Sequence, residues 1–110
     1  MSTFSRDEIE EAFGHFIEVG QRCGESGDWS GWADLFTPDA QYVEHHYGRF
    51  DGREEIRAWI VETMSTWPGS DMPWFQPDWH VIDEERGWVV VYIQNRMRDP
   101  GDGSIHQTRT

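Results

Sequence analysis

A glutamate and two histidines, Glu44, His45 and His46, stand together near the middle of the chain. A carboxylate that loses hydration beside an aromatic pocket acquires a pKa suited to proton transfer near neutral pH, and a neighbouring imidazole can supply the complementary acid or orient a water molecule. Proton abstraction next to a carbonyl, an isomerase or cyclase step, or hydration of an epoxide or alkene would need little more. We therefore take Glu44 as the candidate base, with His46 and His45 as its candidate partners.

These three residues fall on a predicted strand, Ala40 to Tyr47, which is rich in residues that favour β-structure. On an ideal strand Glu44 and His46 share one face, whereas His45 lies on the other. Strand parity therefore favours His46 as the partner of Glu44, and a single β-bulge would reverse that preference.

Two other interpretations of the triplet compete with catalysis. Polar side chains at the edge of a sheet hinder pairing with a foreign strand, so Glu44, His45 and His46 could serve only as the solvated side of an edge strand. A metal site is disfavoured, because successive strand residues point to opposite faces and the spacing specifies no third ligand.

Three helices are predicted around this strand, two before it and one after it. The first runs from about Arg6 to Cys23 and begins with a capping box formed by Ser5 and Glu8. Its apolar stripe at helical spacing is made of Ile9, Ala12, Phe13, Phe16, Ile17, Gly20 and Cys23. Asp28 is placed to cap a short second helix, and Asp51 to help cap the third. The third helix carries one apolar stripe, made of Ile56, Trp59, Ile60, Thr63, Met64 and Trp67, and Trp67-Pro68-Gly69 is predicted to end it.

The C-terminal third of the sequence is typical of an antiparallel hairpin. Asp78 to Glu84 and Trp88 to Met97 are predicted strands, and a further strand begins at Ser104. Trp74 and Phe75 precede them in a loop, where they could form a lid over an apolar pocket or plug one end of the core. Helices followed by strands in a meander indicate an α+β domain, with the helices packed on one face of an antiparallel sheet.

Composition argues against several classes of function. Nine basic residues against 21 acidic ones give a formal net charge of -12, which repels nucleic acid and anionic membrane surfaces. The single cysteine, Cys23, rules out an intrachain disulfide, and its helical position predicts a buried thiol. Seven Trp, six Phe and three Tyr predict an aromatic core or pocket. With no signal-like leader and no long apolar run, we expect one cytoplasmic domain over residues 1–110.

The run GDWSGWADLFTPDAQYVEHHYGRFDGREEIRAWI and the later WVVVYIQNRMRDPGDGS resemble the SnoaL-like branch of the nuclear transport factor two-like superfamily, which includes ketosteroid isomerases and polyketide cyclases. The resemblance implies a cone, in which a long curved antiparallel or mixed sheet wraps around three N-terminal helices and leaves a deep apolar pocket at the open end. In ketosteroid isomerases the base is an Asp four residues past the Ala of an Asp-Ala pair. The same interval counted from Ala40 reaches Glu44.

Other positions depart from the family pattern. Ketosteroid isomerases carry an oxyanion-binding Tyr on the first helix, where this sequence has Phe13, His15 and Phe16. Their second oxyanion donor belongs to a late strand that this chain has hardly begun, and members usually add one or two strands beyond the position of Thr110. We therefore expect a sheet that is incomplete at its C-terminal end, either because the sequence is a fragment or because another subunit completes the sheet.

The resemblance implies a small enzyme that needs no cofactor or metal and performs acid–base chemistry, of the isomerase, cyclase or hydratase type, on a hydrophobic cyclic molecule. A non-catalytic ligand-binding or dimerisation domain of the same fold is the alternative. Most members of the superfamily dimerise through the sheet, which implies a homodimer. The candidates to line the ligand pocket are eight aromatic residues: Phe16, Trp32, Phe36, Tyr42, Trp59, Trp74, Phe75 and Tyr92.

Overall fold

A long helix, α1 (Arg6–Ser26), opens the computed structural model, which describes residues 4–72, 74–97 and 107–109. The hydroxyl of Ser5 accepts a hydrogen bond from the backbone N–H of Glu8 at 3.2 Å, so the Ser5 half of the predicted capping box is confirmed, while the carboxylate of Glu8 accepts from the hydroxyl of Ser5. Gly27 ends the helix in the left-handed region, with φ of 79°, and donates its N–H to the carbonyl of Cys23.

The second predicted helix is a 3₁₀ segment, Ser30–Leu35, and the third is α2, Arg53–Ser65. The carboxylate of Asp28 accepts hydrogen bonds from the N–H and the hydroxyl of Ser30 at 3.0 and 2.7 Å. The prediction that Asp51 helps cap α2 is wrong, because its carboxylate binds Arg49 instead. The predicted stripe of α2 also ends early: Trp67 lies beyond the helix and is exposed.

A salt-bridge network centred on Arg57 fastens the 3₁₀ segment to α2. The guanidinium of Arg57 donates to Asp34 at 2.7 Å, to Glu54 at 3.1 Å and to the carbonyl of Ser30. Its hydrogen bonds and positive charge hold the pKa values of Asp34 and Glu54 below their usual range. The neighbouring Arg53 donates to the carbonyl of Phe36 at 2.8 Å. The two segments that contribute most of the core are thus held together at the surface as well.

A short antiparallel hairpin, β1 (Gln41–Glu44) and β2 (Gly48–Asp51), connects the 3₁₀ segment to α2. The predicted strand from Ala40 to Tyr47 is therefore too long, because the chain turns at residues 45–47. Gly52, at φ of 92°, follows β2 directly, and its N–H donates to the carbonyl of Ala40 at 2.7 Å. This bond fixes where α2 starts relative to the hairpin.

A three-stranded antiparallel sheet forms the second half of the domain, in the order β3 (Trp74–Asp83), β4 (Trp88–Arg96) and β5 (Gln107–Arg109). The predicted hairpin is confirmed, and β3 carries a bulge between Pro77 and Trp79. β3 starts earlier than predicted, so the loop assignment of Trp74 and Phe75 is wrong. The start of the last predicted strand, Ser104–His106, lies outside the described residues.

The core is aromatic, as predicted, and lies between α1, the 3₁₀ segment and α2. Trp32 is its centre: its ring contacts the rings of Phe16, Trp29, Phe36 and Tyr42 at centroid distances of 4.9 to 6.2 Å. The residues buried together in this cluster are Cys23, Trp29, Trp32, Ala33, Ile56, Ile60 and Met64.

Helices packed with two antiparallel sheets make this an α+β domain, as the sequence predicted. Burial raises the pKa of the Cys23 thiol, which agrees with the prediction of a buried cysteine. No helix in the described part of the chain is long and apolar enough to cross a bilayer.

Candidate functional site

Glu44 lies at the last position of β1, and its carboxylate organises the turn that follows. One of its oxygens accepts hydrogen bonds from the backbone N–H groups of His46 at 3.1 Å and Tyr47 at 2.8 Å. The side chain is only 23% exposed. A carboxylate that binds successive N–H groups offers the backbone an alternative to the sheet ladder, which explains why β1 ends here.

The two histidines do not complete the predicted pair. The prediction that His46 shares a strand face with Glu44 is wrong, because His46 lies in the turn, where its ring packs edge-on against Tyr47 at 5.0 Å. The imidazole near the carboxylate is that of His45, with Nδ1 3.8 Å from Oε1, yet its side chain is 91% exposed. Within the described ranges, no three His, Cys, Asp or Glu side chains come together as a group that could hold a metal ion.

Tyr42 shares the strand face of Glu44, and the pKa of its phenol is raised. Burial raises the pKa of Tyr42, and the negative charge of Glu44 raises it further. The ring also contacts Trp59 at 5.0 Å, and the indole Nε1 of Trp59 is buried without a hydrogen-bond partner among the described residues. The pair Tyr42 and Glu44 is thus a phenol and a carboxylate at the edge of a largely apolar environment.

Most of the predicted ligand-binding aromatics pack in or against the core. Trp32 is buried, while Phe36, Tyr42, Trp59 and Phe75 pack against the same cluster. Phe75 meets Trp29 edge to face at 5.2 Å, which favours its interpretation as part of the core over a lid.

The other predicted aromatics divide between a cleft, the far side of the sheet and the undescribed part. Tyr92 stacks on Trp79 at 5.6 Å, on the side of the sheet away from α1. The side chain of Trp74 lies outside the described part of the structure. Phe16 is the residue of the predicted set that lines the cleft described next.

A cleft of about 660 Å³ opens between α1 and β4. The strand contributes Val89 and Val91, which lie two residues apart and both face α1, and neither was predicted to belong to a site. The complete lining is Phe4, Glu8, Ile9, Ala12, Phe13, His15, Phe16, Leu35, Gly87, Val89 and Val91. Apolar side chains therefore form most of the wall, and the ionisable groups come from α1.

The spacing of residues in the sequence indicated which face of α1 lines the cleft. Glu8, Ala12 and His15 are spaced by four and then three residues, so they lie on one face of a helix. Phe13 and Phe16 flank that face and were assigned to the helix's apolar stripe. The apolar stripe therefore indicated the correct face of α1, but Glu8 and His15 at its border were not predicted to belong to a site.

The neighbouring face of α1 is fastened to β3 through His80. Its Nε2 lies 3.4 Å from a carboxylate oxygen of Glu10, and its ring centroid lies 4.5 Å from that of Phe13. At the start of α1, the N–H of Arg6 donates to the carboxylate of Glu84 at 3.2 Å. These contacts set the position of α1 over the sheet and hence the width of the cleft.

Comparison with known proteins identifies the family to which the chain belongs. The family model of the SnoaL-like domain matches residues 5–110, nearly the whole chain. No match was found among curated proteins or solved structures. Since the match covers well over half of the sequence, the chain belongs to the SnoaL-like domain family of the nuclear transport factor two-like superfamily, which includes isomerase and cyclase enzymes as well as non-catalytic members.

Proposed function

We propose that this SnoaL-like domain binds a hydrophobic small molecule in the cleft between α1 and β4. The observation that carries the proposal is the cleft itself, whose volume of about 660 Å³ and mostly apolar wall match the usual properties of small-molecule sites. Phe13 and Phe16 present aromatic surface, which suits a cyclic ligand.

Filling the cleft tests this proposal directly. Ala12 lies in the middle of the α1 wall, so Ala12→Trp should occupy ligand space and weaken binding of the uncharged dye Nile red at least tenfold, which corresponds to about 1.4 kcal/mol. Dye fluorescence titrated against protein measures the dissociation constant. Ala58→Trp is the matched control, because Ala58 is exposed on α2 and lies outside the lining. Equal affinities for wild type and both variants would place the dye elsewhere.

Acid–base catalysis at Glu44, without a cofactor, is a second proposal, and a specific observation favours it. Glu44 is partly buried beside Tyr42, and the pKa of the Tyr42 phenol is raised by burial and by the negative charge of Glu44. A base and a proton donor on one strand face are the groups that an isomerase, cyclase or hydratase step requires. We propose His45 as the group that assists Glu44 from the solvent side, because its Nδ1 lies 3.8 Å from the Glu44 carboxylate, whereas His46 contacts Tyr47.

We also propose that two copies of the chain associate through the sheet. On the face away from α1, Trp79, Val81, Trp88 and Val90 are each 52% to 59% exposed and sit on paired strands. Such a contiguous apolar area is typical of an interaction surface. The net charge of -12 would repel a second copy, and the ion pair between Asp83 and Arg86 reduces that repulsion at the border of this face.

A charge introduced into this face should separate the copies. Val90→Asp would bury a carboxylate in a self-complementary contact, so we expect the association constant to fall at least tenfold, or about 1.4 kcal/mol. Sedimentation equilibrium over a concentration series measures the change. Val61→Asp is the matched control, because Val61 is exposed on α2, away from the sheet. A wild-type chain that stays monomeric at high micromolar concentration would contradict the proposal.

A further inference from the structure

Two ionisable side chains, Glu8 and His15, belong to the lining of the cleft. Both project from the same face of α1, two helical turns apart, which separates them by about 10 Å along the helix axis. Between them the wall is apolar, with Ala12 at its midpoint. A ligand in the cleft therefore meets an apolar middle with one polar group toward each end.

Of these two groups, His15 is the one free to bind a ligand. The carboxylate of Glu8 is held by the hydroxyl of Ser5 at 3.2 Å, as part of the helix cap. In residues 4–72, 74–97 and 107–109, the imidazole of His15 makes no hydrogen bond, ion pair or ring contact. The other histidines in those ranges are engaged: His80 with Glu10, and His45 with Glu44. His46 packs on a tyrosine.

The charge around the cleft disfavours anionic ligands. Glu8 is in the wall, Asp7 and Glu11 lie nearby on the same helix, and the chain as a whole carries a net charge of -12. A ligand carboxylate would lose hydration in an apolar cleft and face this negative potential. A neutral imidazole offers one hydrogen-bond donor and one acceptor, which a phenolic hydroxyl or a ketone can match without introducing charge.

We propose that His15 anchors the ligand and selects, among hydrophobic cyclic molecules, uncharged ones that carry a hydroxyl or carbonyl oxygen. This inference rests on the proposed binding function of the cleft. His15 acts as a specificity-determining residue, and the apolar wall supplies most of the affinity.

Three naphthalene probes test the proposal: naphthalene, 2-naphthol and 2-naphthoate, titrated calorimetrically at about pH 8, where a carboxylic acid is ionised. One added hydrogen bond should make wild type bind 2-naphthol about fivefold more tightly than naphthalene. In His15→Leu the two probes should bind almost equally, with the naphthalene affinity preserved. Gln21→Leu, on an exposed part of α1 outside the lining, should keep the wild-type preference. 2-Naphthoate should bind more weakly than 2-naphthol.

The outcomes separate the two proposals. If naphthalene does not bind the wild-type chain, the proposed function of the cleft fails. If naphthalene binds but His15→Leu keeps the preference for 2-naphthol, the role of His15 is refuted while the cleft remains a binding site. Tighter binding of 2-naphthoate than of 2-naphthol would overturn the selection of uncharged ligands. Circular dichroism of both variants confirms that each retains the fold.

Discussion

Replacing Gly69 by alanine should lower the free energy of unfolding by about 2–3 kcal/mol. Gly69 is buried at the start of the 3₁₀ turn Gly69–Asp71, against the C-terminal end of α2. A Cβ at this position would overlap the backbone carbonyl oxygen of Thr63 and lie 3.2 Å from the Cα of Met64. These contacts are with backbone rather than with a flexible side chain, so the turn or the helix would have to move.

Urea unfolding at a fixed protein concentration, followed by tryptophan fluorescence, measures this change. Gly14→Ala is the matched control: Gly14 lies in α1 with no atom within 4 Å of an added Cβ, and it is not part of the cleft. Because alanine favours helix over glycine, this control should stabilise the fold by about 0.5–1 kcal/mol. If the two substitutions gave the same stability change, the close approach of Gly69 to α2 would be wrong.

Gly69 also shows what the sequence could and could not predict about the fold. Trp67-Pro68-Gly69 correctly predicted the end of the third helix, because proline and glycine act locally on the backbone. The approach of Gly69 to Thr63 depends on how the chain folds back, which no local pattern encodes. The same distinction explains Trp67, which continued the apolar stripe by spacing but lies beyond the helix end at Ser65.

The cleft was partly predictable. Periodicity identified the apolar face of α1, with Ile9, Phe13 and Phe16. A pattern of this kind says which face turns away from water, but it does not say whether the facing sheet closes over it. The structure leaves a gap beside β4, so residues assigned to the core line a cleft, and His15 at the border of the stripe becomes a polar group of the site.

The Glu44 triplet was misjudged for a different physical reason. Tyr42, Val43 and Tyr47 favour β-structure, so a strand through residue 47 was a sound prediction from propensity. The carboxylate of Glu44, which accepts hydrogen bonds from the N–H groups of His46 and Tyr47, outweighed that preference and turned the chain. Competition of a side chain for backbone N–H donors is a local effect, so a turn could have been predicted here. The feature of the sequence that indicated it was Gly48, which follows the turn with a positive φ.

Glu44→Gln should lower kcat/KM for a substrate that the domain converts by about 10²–10⁴-fold, the usual contribution of a general base. The amide keeps an oxygen that can accept from the N–H groups of His46 and Tyr47, so the turn should survive while the base is lost. Product formation measured with a confirmed ligand, together with the melting temperature of the variant, separates a chemical from a structural effect.

Glu55→Gln is the matched control for this substitution. Its carboxylate also accepts a backbone N–H, that of Asp51 at 3.4 Å, but it lies exposed on α2 and is not proposed to act on ligand. Unchanged turnover in Glu44→Gln would leave Glu44 with the structural role that its two hydrogen bonds already define, and a base would have to be sought elsewhere. If wild type binds ligands but converts none of them, the chain would instead be classed with the non-catalytic members of the family. The hydrogen bonds of Glu44 to the turn would then be a sufficient explanation for this carboxylate.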